Sequence, residues 1–195
     1  MYNKTIRVGD GVRIISGKAR GRILKSPAGR LTRPTLDRTR ESLFNILTAT
    51  SLHDTHVLDI FAGTGALGLE ALSRGAKQGV FIDHHTVDLI RENGKRCGFL
   101  EQMEILHYDV HRALKQLQGR QFHFIFADPP YNKRLVNDTI SDIFHYHLLC
   151  PDGLILMEHS KEESIEVHPL YTVIREKSYG KDTRITFIRA YREGV

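Results

Sequence analysis

Residues 57–68 read Val57-Leu58-Asp59-Ile60-Phe61-Ala62-Gly63-Thr64-Gly65-Ala66-Leu67-Gly68. A short apolar run meets a glycine turn, and the turn leads into an apolar helix. Gly63, Gly65 and Gly68 fit the spacing G-x-G-x-x-G, and Asp83 follows Gly63 by 20 residues. Such a strand, turn and helix close their backbone around a nucleoside-bearing ligand, and the later acid is placed for ribose hydroxyls. Glycine is required because it allows both the tight turn and the close approach of backbone to ligand.

Outward from this unit the pattern alternates. The helix after the turn is expected over about Ala66–Arg74, ending at Gly75. Strands are expected at Gly79–Ile82, Glu104–His107, Phe122–Ala127 and Leu154–Glu158. The helices between them end near Cys97, span Val110–Leu117 and occupy roughly Leu135–His147. Nearly continuous apolar strands of this length suit a parallel sheet covered on both faces, so the fold class is α/β with a doubly wound sheet. Near the end, Thr172–Lys177 and Arg184–Tyr191 are two strand-like runs with no helix between them. They predict a hairpin that sets an antiparallel strand at the sheet's end. Ahead of the glycine unit, residues 13–33 read as a short hairpin or loop. A helix through Leu43, Phe44 and Leu47 follows Pro34, with Thr35 as its expected N-cap.

Two acidic features distinguish the ligand. Asp59 lies on the strand just before the turn, where a carboxylate repels a pyrophosphate and suits a cationic cofactor. That favours S-adenosylmethionine over a nicotinamide dinucleotide, as does the lack of a separate substrate domain. Asp83 is then expected on the ribose hydroxyls and Asp109 on the adenine amino group. The second feature is Asp128-Pro129-Pro130-Tyr131, which follows the fourth strand. That strand is expected beside the first, so its end faces the glycine loop. An exocyclic base amine is a poor nucleophile because its lone pair is delocalised into the ring. Acceptors for its two hydrogens, Asp128 and the Pro129 carbonyl, favour a more tetrahedral nitrogen. Two prolines stiffen the corner and offer carbonyls without N–H groups, and Tyr131 is expected to stack on the base. From the residues alone the corner serves a guanine or an adenine amine. An NAD-binding oxidoreductase and a catalytically silent RNA-binding protein also stay open.

Charge is segregated. Residues 1–40 hold eleven Lys/Arg against Asp10 and Asp37, leaving seventeen Lys/Arg against twenty-one Asp/Glu in the rest. A basic arm on a mildly acidic body is expected to meet a polyanion, and Lys18, Arg20, Arg22, Arg33, Arg38 and Arg40 are its candidate phosphate contacts. Cys97 and Cys150 stand in no metal spacing, and no metal is expected. With no apolar run near the length of a membrane span and no secretory leader, the expected location is the cytoplasm. No membrane and no obligatory protein partner are expected.

Four stretches, RIISGKARGR (13–22), RPTLDRTRESLFNIL (33–47), LDIFAGTGALGLEALSRGA (58–76) and FADPPY (126–131), resemble the RsmD-like guanine-N2 methyltransferases of 16S ribosomal RNA. The hairpin SYGKDTRITF (178–187) is similar to the family's ending. The resemblance spans residues 13–191. It implies a seven-stranded class I methyltransferase fold of Rossmann-like type and S-adenosylmethionine as cofactor. It also implies methylation of a guanine amino group in ribosomal RNA or in a small-subunit assembly intermediate. By the matched motifs Asp59, Phe61, Gly63, Gly65, Asp83, His84, Asp109 and Val110 fall at the cofactor, and Asp128–Tyr131 at the base. Residues 1–50 are then an RNA-contacting arm and leading helix packed on a methyltransferase domain over residues 51–195. Two departures are visible. Residues 1–12 extend beyond the family's usual start, and the ribose acid, often Glu, is Asp83.

Overall fold

The computed structural model describes residues 12–26, 34–47 and 52–191, with side chains described from residue 40 in the second stretch. Its elements are α1 (Pro34–Leu47), β1 (His56–Ile60), α2 (Ala66–Ser73), β2 (Gln78–Ile82), α3 (Val87–Cys97), β3 (Met103–Leu106), α4 (Val110–Gln116), β4 (Phe122–Ala127), α5 (Leu135–His145), β5 (Leu149–Ser160), β6 (Tyr171–Tyr179) and β7 (Thr183–Ala190). They form one seven-stranded sheet in the order β3-β2-β1-β4-β5-β7-β6. Pairs among the first five are parallel, and β7 is antiparallel to both of its neighbours. This is a doubly wound Rossmann-like sheet, as the resemblance implies, with the strand order reversing between β1 and β4.

The expected antiparallel hairpin stands at the sheet's end, with β7 slotted between β5 and the edge strand β6. Ile185, Phe187 and Ile188 of β7 are buried, whereas β6 is largely exposed and carries Arg175, Glu176 and Lys177. A charged strand suits an edge, where unpaired backbone groups otherwise invite association. One expectation needs correction: Thr35 is not a cap, since α1 already begins at Pro34. Proline fits the first helical position because its fixed φ is helical and its missing N–H is not needed there.

Alternate residues of the central strands feed two apolar layers. Val57, Phe124, Phe126, Leu154 and Leu156 face α2, α1 and the arm, while Leu58, Ile60, Ile125, Ala127, Ile155 and Met157 face α4 and α5. Val12, Ile14, Ala19 and Leu24 of the arm belong to the first layer, together with Leu43, Phe44 and Leu47 of α1. The described hairpin of the arm, residues 12–24, is therefore part of the core. Among the described residues no helix is long and apolar enough to cross a membrane.

Polar groups lock the arm in place. Residues 13–23 fold as a tight hairpin, with Arg13 bridging Ile23 and Ile14 N donating to Arg22 O at 2.9 Å. Glu70 on α2 is 0% exposed, and its carboxylate accepts from Ile15 N (2.7 Å), Ser16 N (3.0 Å) and Arg74 Nε (2.7 Å). Ser73 takes Lys18 N on its carbonyl (2.8 Å) and Ala19 N on its hydroxyl (2.9 Å), and the hydroxyl donates to Ser16 O. Gly17 makes this docking possible. It has φ +80, and a Cβ there would lie 1.8 Å from the Ser73 carbonyl oxygen. The RIISGKARGR stretch thus has a packing reason for its first glycine. On α3, the buried amide of Asn93 holds both backbone groups of Lys25 and donates to Thr64 O at 2.9 Å, tying the arm to the glycine turn.

Candidate active site

A single row of paired residues crosses the sheet: Leu106, Ile82, Ile60, Ala127 and Met157. The next residue on each strand is His107, Asp83, Phe61, Asp128 and Glu158. Five strands therefore end their parallel ladder at one level, and the candidate residues stand along it. Asp128 stays on the ladder through its own N–H, which donates to Ile60 O at 3.4 Å. The corner and the glycine turn are adjacent.

The glycines of the turn do different work. Gly63 (φ +57) has only the Phe61 carbonyl, at 3.9 Å, near a built Cβ, so its outer face is open. Gly65 (φ +77) makes the left-handed entry to α2. Gly68 is closed, because a Cβ would stand 2.3 Å from the Phe81 ring. Phe61 also takes a positive φ, 61°, which is uncommon for a bulky residue and marks the tightness of the turn. It is half-buried against the second apolar layer.

Asp83 spans the turn and the following helix. Its Oδ2 accepts Gly63 N at 2.9 Å, and its Oδ1 accepts His85 N (2.7 Å) and Thr86 N (2.9 Å). Half-burial pushes the carboxyl upward, but these hydrogen bonds win and hold it below the usual carboxylate range. A carboxylate has about four acceptor positions, so one remains on Oδ2. His84 is exposed, with its carbonyl accepting from His107 Nε2 at 3.0 Å. Asp109 is the exposed N-cap of α4, with Oδ1 on Arg112 N at 3.0 Å, and Val110 begins that helix half-buried.

Asp59, expected to face a cationic ligand, lies beneath the turn at 2% exposure. Its Oδ2 accepts Gly68 N at 2.8 Å, so from here it holds the start of α2. Burial pushes its carboxyl up to about 8, the Gly68 hydrogen bond opposes this, and the charge of Asp83 adds to the rise. The folded protein keeps this proton between pH ~3.9, the ordinary value, and about 8, while the unfolded chain releases it. The native state binds more protons in that window, so this group's stabilising contribution falls as pH rises through it. Asp59→Asn keeps the acceptor for Gly68 and removes the slope. Its melting temperature is expected to gain on the wild type steadily from about pH 5 to about pH 8 and then level off; parallel melting profiles refute this account.

At the corner, Asp128 and Pro130 are exposed and Pro129 is buried. Tyr131 is half-buried, and its hydroxyl donates to Glu158 Oε1 at 3.0 Å and meets Thr183 Oγ1 at 2.9 Å. Burial and the charges of Glu158 and Asp128 push its phenol well above the ordinary tyrosine range, making it a weaker acid. Burial likewise raises the Glu158 carboxyl, against the Tyr131 hydrogen bond. Glu158 and Thr183 were not legible as site residues, since neither belongs to a motif; the only hint was an acid ending the apolar run of β5.

Of the candidate phosphate contacts, Lys18, Arg20 and Arg22 are exposed on the hairpin. Arg40 is corrected. It is 6% exposed, and its Nη2 donates to Arg13 O at 2.5 Å, so it joins α1 to the arm. Its position on the buried side of α1, near Leu43 and Phe44, is what removes it from the surface. Arg33 and the side chain of Arg38 lie outside the described residues.

Residues 12–189 match the family described as Conserved hypothetical protein 95. The chain is 37% identical over 174 residues to ribosomal RNA small subunit methyltransferase D of Haemophilus influenzae, covering 87% of this chain and 89% of that relative. Its fold is similar to the solved structure of yhhF from Escherichia coli, with TM-score 0.81 and 31% identity over 93% of this chain and 99% of the other. The crystal structure of SMU.776 complexed with S-adenosylhomocysteine shares the fold alone, at TM-score 0.61 and 16% identity, covering 82% of this chain and 51% of the other.

Proposed function

The chain belongs to the family described as Conserved hypothetical protein 95, the RsmD-like methyltransferases of ribosomal RNA, and from that premise we propose that it methylates the exocyclic N2 of a guanine in small-subunit ribosomal RNA. The cofactor is S-adenosylmethionine. The observation that carries the reading is the ladder bond from Asp128 N to Ile60 O, which sets the amine-binding corner beside the glycine turn.

The residues fit the cofactor. The open face of Gly63 admits close approach, and the free acceptor position of Asp83 suits a ribose hydroxyl. Asp109 Oδ2 suits the adenine amino group, flanked by Val110 and His84. Asp59 shapes this pocket from beneath through Gly68. Bound there, S-adenosylmethionine supplies an electrophilic methyl group. The Asp128 carboxylate and the Pro129 carbonyl accept the two hydrogens of the base amine and free the nitrogen lone pair. Asp128 also receives the proton that the nitrogen sheds once it carries its new substituent, and passes it to solvent, to which it is exposed. Tyr131, fixed by its hydroxyl, offers its ring to the base. Most of the rate advantage comes from holding the reacting atoms in line.

Lys18, Arg20 and Arg22 bring phosphates to the hairpin beside α2. The target base leaves its stack to reach the corner, so exposed or looped RNA, naked or in an assembling subunit, is the substrate class. The deciding experiment is labelled-methyl transfer to RNA from cells lacking the protein, followed by nucleoside analysis. N2-methylguanosine is expected in small-subunit RNA. N6-methyladenosine, or no transfer, overturns the reading.

A further inference from the structure

Glu158 takes no part in the chemistry above, yet it stands next to Asp128 on the row that ends the ladder. Side chains alternate along a strand, and Phe126 and Leu156 both face the layer shared with α1 and the arm. Continued two residues further on, that alternation puts Asp128 and Glu158 on the same side, one strand spacing apart. Glu158 is held from two directions. Its Oε1 accepts the Tyr131 hydroxyl at 3.0 Å, and that hydroxyl also meets Thr183 Oγ1 at 2.9 Å, which joins the corner, β5 and β7 in one chain of contacts. No described residue donates to Oε2. A carboxylate with one oxygen pinned and the other open is a fixed single acceptor.

We propose that Glu158 determines which purine is methylated, its Oε2 accepting a hydrogen bond from the ring N1–H of guanine. The assignment rests on the guanine-N2 reading above. On guanine the N1–H and the N2 amine are neighbours on one edge of the ring, so their acceptors must also stand side by side. Asp128 and Pro129 serve the amine, and the strand next door, about 4.8 Å away, supplies the acceptor for N1–H. Adenine presents a lone pair at N1. Facing a carboxylate it finds repulsion and no donor, and the corner's indifference between the two amines is thereby removed. Two donated hydrogen bonds, from Tyr131 and from N1–H, also favour the ionised carboxylate against the cost of its burial.

The test needs a base with the same amine and a different N1. 2-Aminopurine carries the 2-amino group but a lone pair at N1. Once nucleoside analysis has located the methylated position, RNA is prepared with guanine or with 2-aminopurine there. The ratio of kcat/KM for the two is then measured in wild type, Glu158→Gln and Glu158→Ala. Wild type is expected to prefer guanine by about 100-fold, the size of effect that one hydrogen bond to a charged group supplies. In Glu158→Gln the amide keeps Tyr131 on its oxygen and turns an N–H donor toward N1, so the preference drops to near parity or inverts. Glu158→Ala brings it to near parity. Because each ratio is taken within one preparation, partial misfolding does not move it, and the alanine variant serves should the glutamine variant not fold. A wild-type ratio near one, or an undiminished guanine preference in a variant, overturns the assignment while leaving the guanine-N2 reading standing. Transfer to adenine N6 instead removes that reading and the assignment together.

Discussion

Asp128→Ala is expected to lower the rate of methyl transfer to RNA by about a thousandfold, the range found when a residue that both orients a reacting group and takes its proton is removed. The side chain is exposed, and the backbone bond from its N–H to Ile60 O does not depend on it. Pro129 and Pro130 still hold the turn through their fixed φ. The variant therefore keeps its fold. The proposed cofactor site keeps Gly63, Asp83 and Asp109 unchanged, so S-adenosylhomocysteine is expected to bind within about twofold of wild type by calorimetry, since no group assigned to it is altered. Initial rates with labelled cofactor, alongside calorimetry and thermal melting, make the separation visible. Retained transfer ends the role given to this carboxylate, whereas a parallel loss of cofactor affinity makes it a structural residue.

Gly17→Ala is expected to destabilise the protein by roughly 3 kcal/mol or more, because it strips a buried carboxylate of its partners. The added Cβ would sit 1.8 Å from the Ser73 carbonyl oxygen, which is backbone in the middle of the core and cannot yield. The hairpin must lift, and Ile15 N and Ser16 N leave the fully buried Glu70. Gly21 supplies the control. Its φ is +82, nearly that of Gly17, but a Cβ there meets nothing within 4 Å. Gly21→Ala is expected to cost only the left-handed backbone, about 1–2 kcal/mol. Denaturant titration compares the two, and equal losses refute the docking account. Lifting the hairpin also displaces Lys18, Arg20 and Arg22, so RNA affinity at low salt falls and its dependence on salt flattens in Gly17→Ala.

The behaviour of these two glycines shows where local pattern reaches its limit. Both stand in RIISGKARGR and both take a positive φ, which a sequence reading attributes to turns. Only the fold shows that one of them lies against Ser73, more than fifty residues away. The same holds for the acids. Asp83 and Asp109 were legible as acids at strand ends and Asp59 as an acid on a strand; Asp83 directly follows β2, Asp109 caps α4 beyond β3, and Asp59 lies within β1. That Asp59 points inward to Gly68 while Asp83 spans turn and helix depends on packing around Phe81 and on the geometry of α3. Arg40 misled for a related reason. A basic residue in a basic arm reads as surface until the helix is rotated onto its neighbours, and here α1 turns Arg40 inward with Phe44.

Local chemistry was enough for the alternation of strands and helices, the glycine turn and the proline-stiffened corner. Each is set by residues within one turn or one strand, through φ preferences and the period of apolar side chains. Contacts between distant segments were decided by the folded chain alone: Glu70 with residues 54 and 55 positions away, Asn93 with Lys25 across 68, Tyr131 with Glu158 across 27 and with Thr183 across 52. Such pairs exist because strand register and the insertion of β7 bring them within reach. A polar side chain carries no mark of which remote partner the packing will bring to it.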